Sequence, residues 1–556
     1  MSRRRVPLEA LASLVLGFLV ATLTRRPQDL ASTTPLDAGD PVLQSWVLAW
    51  PAHALTTGRS LWDANIFAPL DNSLAFTDSL LGYLPFGLVG EGPADALVRY
   101  NLVFLFASAL AFAGTWVLVR QLGLGRAAAL VAAMAFAFNP WRVSQLGHLQ
   151  VLSSGGIPLA LAMLARGHGV RLRSTGPLRP GWAVAGWATA AWHVSLGFGL
   201  GIQLAYLLGV CTLVAGLSAL RRIAAGAPWP ARRILVADGL GIALFLAVCG
   251  AMALPYFQAV KDHPEARRTT AEVSLFSPTT SSLVTAPAES WLWGRASQDL
   301  RADVVAVQEK ALFPGLVVVV LAVAGLWPGA WSTRRVVVVA GTVVVVAACA
   351  LGTGGPGGGR YGYLLLYEHA PGYQGIRTPG RLITTAWLGL ALLAAHGVTV
   401  LRRALPSAVE ATAGTAVLGL GLSGLVLMEG LDTAGLAPVP APPSVAIADL
   451  PGPVLVLPSD GNVDQTVMNW STDRFPSIVN GYSGFTPQLT ESLRAAAERL
   501  PDPAALEQLR AAGVRTLLVL PARLPGTRHE RLDPLLLASL PGVTVEQRNE
   551  TFIVRL

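Results

Sequence analysis

Long apolar runs, each about the length needed to cross a bilayer as a helix, recur along the chain and are separated by short basic or long polar segments. They begin near Leu8, Asn101, Ala127, Val151, Trp182, Gly201, Ile234, Leu312, Val336, Leu382 and Thr412. This pattern predicts about eleven transmembrane helices. After the stretch Ala437 to Pro443 (APVPAPP), which reads as a linker, the pattern changes to short apolar runs between turn signals. Val454 to Leu457 and Val514 to Leu520 are strand candidates. Asp502-Pro503 is a helix N-cap with Pro at the first position, and Gly513 closes that helix. Asp533-Pro534 repeats the cap signal, and Val543 to Gln547 with Phe552 to Leu556 predict a closing hairpin around Asn549-Glu550. The expected fold class is a polytopic α-helical membrane protein with a small C-terminal α/β domain. The expected boundaries are a transmembrane domain over 1–436, a linker over 437–444 and the α/β domain over 445–556.

Arginine placement orients the spans. With the N-terminus inside, the inward loops hold Arg120 and Arg126; Arg166, Arg171, Arg173 and Arg179; Arg221, Arg222, Arg232 and Arg233; Arg334 and Arg335; and Arg402 and Arg403. Their only acid is Glu410. The positive-inside rule then makes the N-terminus cytoplasmic and the C-terminal domain extracytoplasmic. Arg3, Arg4 and Arg5 before the first run also fit a signal peptide, but no small-residue cleavage pattern follows and Arg25 and Arg26 come next, so an uncleaved first span is expected.

Composition narrows the class. Hydrophobic residues make up 53% of the 556 and charged residues only 13%, against about 25% charged in soluble domains. The net charge of +8 belongs to the inward arginine clusters, so no nucleic-acid partner is expected. Cys211, Cys249 and Cys349 all lie in apolar runs, which predicts neither disulfides nor a thiolate metal site. The segment Gly354 to Gly359 lacks the Lys and Ser or Thr of a phosphate-cradling loop.

The inward loops are too short for a folded site, so any chemistry is outward or within the membrane. The first outward loop, about 25–100, is long. Leu43, Trp46, Val47 and Trp50 share one helical face there, which suggests a segment lying along the outer leaflet. Asp37 and Asp40 stand in LDAGDP; two close carboxylates can split their pKa values so that one serves as a base, or they are two solvated loop acids. A later outward loop, about 352–381, carries Arg360, Tyr361, Tyr363, Tyr367, Arg377 and Arg381. Cations outside run against the charge rule, and phosphate suits the guanidinium fork; the alternative is a snorkelling interfacial loop. His148 and Gln150 follow the third span, and His193 lies late in the fifth; they line a cavity or are satisfied structural groups.

The stretches LDAGDPVLQSWVLAWPAHAL, LWDANIFAPLDNSLAFTDSLLG, AMAFAFNPWRVSQLGHLQVLSSGGIPLAL, YGYLLLYEHAPGYQGIRTPGRL and NGYSGFTP resemble uncharacterised bacterial members of the GT-C superfamily of membrane glycosyltransferases. The resemblance implies transfer of a sugar, with inversion, from a polyprenyl-phosphate donor to a glycan, lipid or protein acceptor at the outer face of a bacterial inner membrane. It implies an acid of the first outward loop as base, here Asp40 with Asp37 as the alternative. Arg377 and Arg381, with Arg360 next, would hold the departing phosphate, and His148, Gln150, His193 and Tyr363 would line the substrate cavity. Some members of the superfamily use a divalent metal; the acid pairs to hold one are not evident, and metal-independent chemistry is expected. Two other functions compete: a lipid or solute transporter, disfavoured by few ionisable residues within the spans, and a non-catalytic membrane scaffold.

Overall fold

In the computed structural model, residues 5–25, 31–36, 39–171, 176–404 and 412–556 are described. Arg3, Arg4, Arg26, Asp37, Arg173 and Glu410, invoked above, lie outside them. Seven helices are long and apolar enough to cross a membrane: Pro7–Thr24, Gly92–Gln121, Leu149–Gly167, Phe198–Ala224, Arg232–Asp262, Thr333–Ala350 and Pro379–Arg403. The chain is therefore a multi-pass membrane protein. The four remaining predicted spans also begin at or beside helices, but short ones: Arg126–Ala137, Pro180–Val194, Leu316–Ala324 and Ala413–Glu429. A helix rises about 1.5 Å per residue, so the 12 residues of Arg126–Ala137 cover only about 18 Å of a hydrocarbon core roughly 30 Å thick. Composition alone did not distinguish full spans from such half-length helices, and the count of eleven is not established.

The chain folds into two compact units, one of 1–27, 104–252 and 268–434, the other of 28–103, 253–267 and 435–556. The first is a helical bundle. Arg126–Ala137 packs on Ile383–Ala404 and Thr412–Glu429, and Leu316–Ala324 packs on Ile383–Ala404. The last crossing is close because it is lined by glycine: a Cβ at Gly397 would collide with the Leu321 carbonyl, and one at Gly325 with that of Leu393. Small residues allow backbones to approach where lipid supplies no hydrophobic drive to associate.

Several buried polar groups in this bundle find partners. His396 accepts the Trp331 amide at Nε2 (3.1 Å), lies 2.7 Å from the Gly325 carbonyl at Nδ1, and stacks on Trp331. Those two contacts require the neutral Nδ1–H tautomer. Glu429 accepts the Leu316 and Val317 amides at 2.8 and 3.0 Å, so its carboxylate satisfies the open N-terminus of the Leu316–Ala324 helix. Arg25, just past the first span, pairs with Asp432, just past the last, and both side chains are buried. Arg142, 1% exposed, donates to the Phe136 and Leu152 carbonyls and to Ser154 Oγ, and its guanidinium lies over the Phe136 ring.

The second unit contains a four-stranded sheet of order β1-β2-β4-β3, with β1 Val454–Leu457, β2 Thr516–Val519, β3 Thr544–Arg548 and β4 Thr551–Arg555. β1 and β2 run parallel and the other pairs antiparallel. Helices Gln488–Glu498 and Pro503–Ala511 bury Leu493, Leu506 and Leu509 in the same core as Leu455 and Leu517. Asp502 caps the second of these through the Ala504 amide, and Gly513 follows it at φ +85°.

The helix Asp40–Thr57 belongs to this unit and packs on Gly461–Trp470. Leu43, Trp46, Val47 and Trp50 do share a face, and it is buried in protein. Trp46 Nε1 donates to Asn65 Oδ1 (3.0 Å) and Trp50 Nε1 to the Leu61 carbonyl (2.8 Å). The expectation that these tryptophans rest among lipid headgroups is thus corrected: an apolar helical face says that something covers it, and here the cover is polypeptide.

Candidate functional site

Four segments of the helical unit, distant in sequence, bring ionisable side chains together. Arg381, in the turn Pro379–Leu382, donates to both oxygens of Glu309, at 2.6 Å from Nη2 and 3.1 Å from Nε. Glu309, in the short helix Val307–Lys310, is 4% exposed. His148 Nε2 stands 3.7 Å from the same carboxylate. Burial by itself would raise the Glu309 carboxyl, but the Arg381 guanidinium, His148 and Arg377 outweigh it, and the group sits below its ordinary value.

Beside this pair lies a second, looser one. The helix Thr270–Phe276 begins with Thr269 as its cap, and Arg268 and Glu272 lie one turn apart, at 3.0 Å. Arg377 Nη1 reaches the same Glu272 oxygen at 3.4 Å, and its guanidinium lies 5.0 Å from the centre of the Phe276 ring. Burial, followed by the Arg377 charge, pushes the Arg268 guanidinium below its ordinary value. Three guanidinium groups and an imidazole thus gather around these two carboxylates.

The tyrosines hold this frame. Tyr363 is wholly buried and donates to the Ile376 carbonyl (2.7 Å), one residue before Arg377. Burial, then Tyr373 and Tyr367, raise its phenol well above the usual range, so it acts as a neutral donor. Tyr367 donates to the Arg268 carbonyl (2.6 Å).

Of the residues singled out from sequence, Arg377, Arg381 and His148 come together here. Arg360 is exposed and makes no ion pair among the described residues. Gln150, in the short helix Leu149–Leu152, is half-buried. His193 is fully buried with no hydrogen-bond partner at either ring nitrogen among the described residues. Asp40 is the first residue of the Asp40–Thr57 helix, half-buried, with Pro41 next to it; Asp37 is outside the described residues. Sequence reading missed Arg268, Glu272 and Glu309. The i,i+4 spacing of Arg268 and Glu272 was a usable signal, whereas nothing local linked Glu309 to an arginine 72 positions on. Among the described residues no group of three or more His, Cys, Asp or Glu side chains is placed to hold a metal ion.

No protein-family model matches this chain, and no curated protein does. Among solved structures it is similar to the arabinofuranosyltransferase AftD from Mycobacteria, with 18% identity and a TM-score of 0.49. That match covers 100% of this chain but 40% of the mycobacterial one, so the chain spans well under half of that protein's length. It is also similar to ArnT from Cupriavidus metallidurans, with 14% identity and a TM-score of 0.46 over 98% of this chain and 97% of that one. A third match is the archaeal oligosaccharyltransferase AglB from Archaeoglobus fulgidus, with 13% identity and a TM-score of 0.40 over 92% of this chain and 69% of that one.

Proposed function

We propose that this chain is a GT-C-type membrane glycosyltransferase that moves a sugar from a polyprenyl-phosphate donor to an envelope glycan, lipid or protein at the outer face of a bacterial inner membrane. The observation that supports the reading is the Arg268, Arg377 and Arg381 cluster. Three guanidinium groups gather at two carboxylates, an arrangement suited to the charge that grows on a lipid phosphate as the bond to its sugar breaks. In the reaction the acceptor hydroxyl attacks the anomeric carbon, the bond to the phosphate oxygen breaks, and configuration inverts. Asp40 takes the hydroxyl proton as general base, with Asp37 as the alternative. Arg377 and Arg381 offset the charge left on the lipid phosphate. His148, Gln150, His193 and Tyr363 contribute to the substrate cavity or its frame. The N-terminus is cytoplasmic and the C-terminal domain extracytoplasmic.

The test is turnover by purified full-length protein in nanodiscs given polyprenyl-phosphate sugars and mixed envelope acceptors. The expected result is that Asp40→Asn and Arg377→Gln each lower turnover by about two orders of magnitude or more. Turnover unchanged in Asp40→Asn removes Asp40 as the base. Absence of any transfer, together with movement of lipid across the bilayer, would instead support a transporter.

A further inference from the structure

In the helical unit, the segment 286–301 is a turn held at its ends and in its middle. Arg301 donates to the Ala286 carbonyl at 2.7 Å and to the Gly294 carbonyl at 2.6 Å, and the Ala286 amide donates to Ser297 Oγ at 3.1 Å. Gly294 lies where a Cβ would overlap the Ala288 and Ser290 carbonyls. The turn is also tied to the chain just past the Thr412–Glu429 helix. The Trp291 amide donates to the Leu431 carbonyl at 2.9 Å, the Thr433 amide to the Glu289 carbonyl at 2.7 Å, and Trp293 Nε1 to Glu429 at 3.1 Å. Trp293 turns inward against the Phe313 ring. Its two predecessors do not: Trp291 is 54% exposed and Leu292 42%. A firmly anchored backbone thus holds two adjacent large apolar side chains outward.

The polar groups around the turn fix its level. Arg25 follows the span Pro7–Thr24, Asp432 stands just past the Thr412–Glu429 helix, and the two pair. Two apolar helices therefore end together, and Ser290 is bridged to Asp432 at that end. Within two turns of it the same helices present Leu19, Leu23, Leu425 and Met428 outward. An ion pair directly beside an exposed apolar band marks the change from hydrocarbon to headgroups. An indole, with an apolar body and one N–H donor, suits that layer. The exposed band of the helices continues into Trp291 and Leu292, so the same solvent that covers the band covers the turn.

We propose that Trp291 and Leu292 form an interfacial anchor seated among the lipid headgroups at this end of the spans, the outer leaflet on the topology proposed above. The partner is the lipid surface itself. The inference is independent of the transferase reading and holds equally for a transporter. It assigns the headgroup tryptophan, expected from sequence at Trp46 and Trp50, to a different loop, and it sets the level of Glu429 to Asp432 as the membrane boundary on this side of the helical unit.

The experiment is spin labelling of the full chain in nanodiscs, with Cys211, Cys249 and Cys349 replaced by Ala. A single cysteine is then introduced as Trp291→Cys, as Leu292→Cys or, for a solvent reference, at exposed Glu550 as Glu550→Cys. Oxygen and a water-soluble nickel chelate serve as competing relaxation agents. Labels at 291 and 292 are expected to prefer oxygen and to lie about 5–10 Å below the phosphate plane, while the label at 550 prefers the chelate. Chelate preference at both 291 and 292 overturns the proposal. Dipolar broadening between labels at 291 also overturns it, because a second copy of the chain then covers the patch. Intrinsic fluorescence serves if neither cysteine variant folds: brominated lipids are expected to quench the native protein more than Trp291→Phe, and equal quenching rejects the anchor.

Discussion

Arg381 closes on Glu309 with two hydrogen bonds, 2.6 and 3.1 Å long, joining the turn before one long apolar helix to a short helix 72 residues earlier. Glu309→Gln keeps the shape and removes the charge. Hydrogen bonds to charged groups contribute about 1.5 to 3 kcal/mol each in favourable cases, so a loss of roughly 2 kcal/mol is expected. Thermal unfolding in nanodiscs checks it; a melting temperature equal to that of the parent protein would count against a buried pair.

The same carboxyl gives an acid-side signature. Burial raises it, but Arg381, His148 and Arg377 lower it further, so its folded value lies below the ordinary one. A depressed carboxyl stabilises the fold above the ordinary glutamate range of about 4.3 and loses that contribution as pH falls through the folded value. Melting temperature is expected to fall on the acid side of that range. In Glu309→Gln the acid decline is shallower, starting from a lower value at neutral pH. Parallel curves for the two proteins would assign the decline to other groups.

Asn480 completes the edge of β1 with its side chain. It accepts the Val456 amide at 2.7 Å, donates to the Val456 carbonyl at 2.9 Å, and donates to buried Asp464 at 2.7 Å. Asp464 also pairs with Arg494 at 2.7 Å. Asn480→Ala strands a strand amide and a carboxylate oxygen, and a loss of about 2 to 4 kcal/mol is expected. Limited proteolysis of the C-terminal residues reads it; cleavage at the parent rate would contradict the account.

His396→Phe retains a ring against Trp331 but removes both polar contacts, leaving the Trp331 amide and the Gly325 carbonyl without them. A loss of about 1 to 3 kcal/mol is expected. The geometry also makes a spectroscopic prediction: the proton sits on Nδ1 and not on Nε2, which nitrogen NMR of labelled histidine resolves.

Gly397→Leu places a side chain where even a Cβ would overlap the Leu321 carbonyl. The crossing must open, and little folded protein is expected in size-exclusion chromatography. Normal yield and an unchanged elution profile would show that the helices can part at no cost.

Much of this architecture was legible in the sequence. Each predicted span begins at or beside a helix, because long apolar runs have one stable form in lipid, with backbone hydrogen bonds closed internally. The strands at Val454 and Thr516 and the hairpin at Asn549 were visible because apolar runs lay between turn residues. The helix Gly461–Trp470 was missed: its signal, Asp460 capping the Asn462 and Val463 amides, stands beside Pro458 and precedes a polar stretch. At the candidate site Arg377 and Arg381 were legible as charges in an unexpected loop, whereas Arg268 was missed. The pairing of Glu272 with Arg377 and of Glu309 with Arg381 was not legible, since a salt bridge across tens of residues leaves no periodicity. Nor did the amphipathic pattern of Asp40–Thr57 reveal whether lipid or protein covers its apolar face.

The buried pair of Arg25 and Asp432 spans 407 positions. During synthesis the arginine emerges 407 positions before its partner, which exists only after the helix Thr412–Glu429 has been made. Until then the cation has to be kept solvated at the edge of the bilayer. The helical unit therefore cannot complete its electrostatics piecemeal, and a chain interrupted before Asp432 lacks the carboxylate that Arg25 meets in the finished fold.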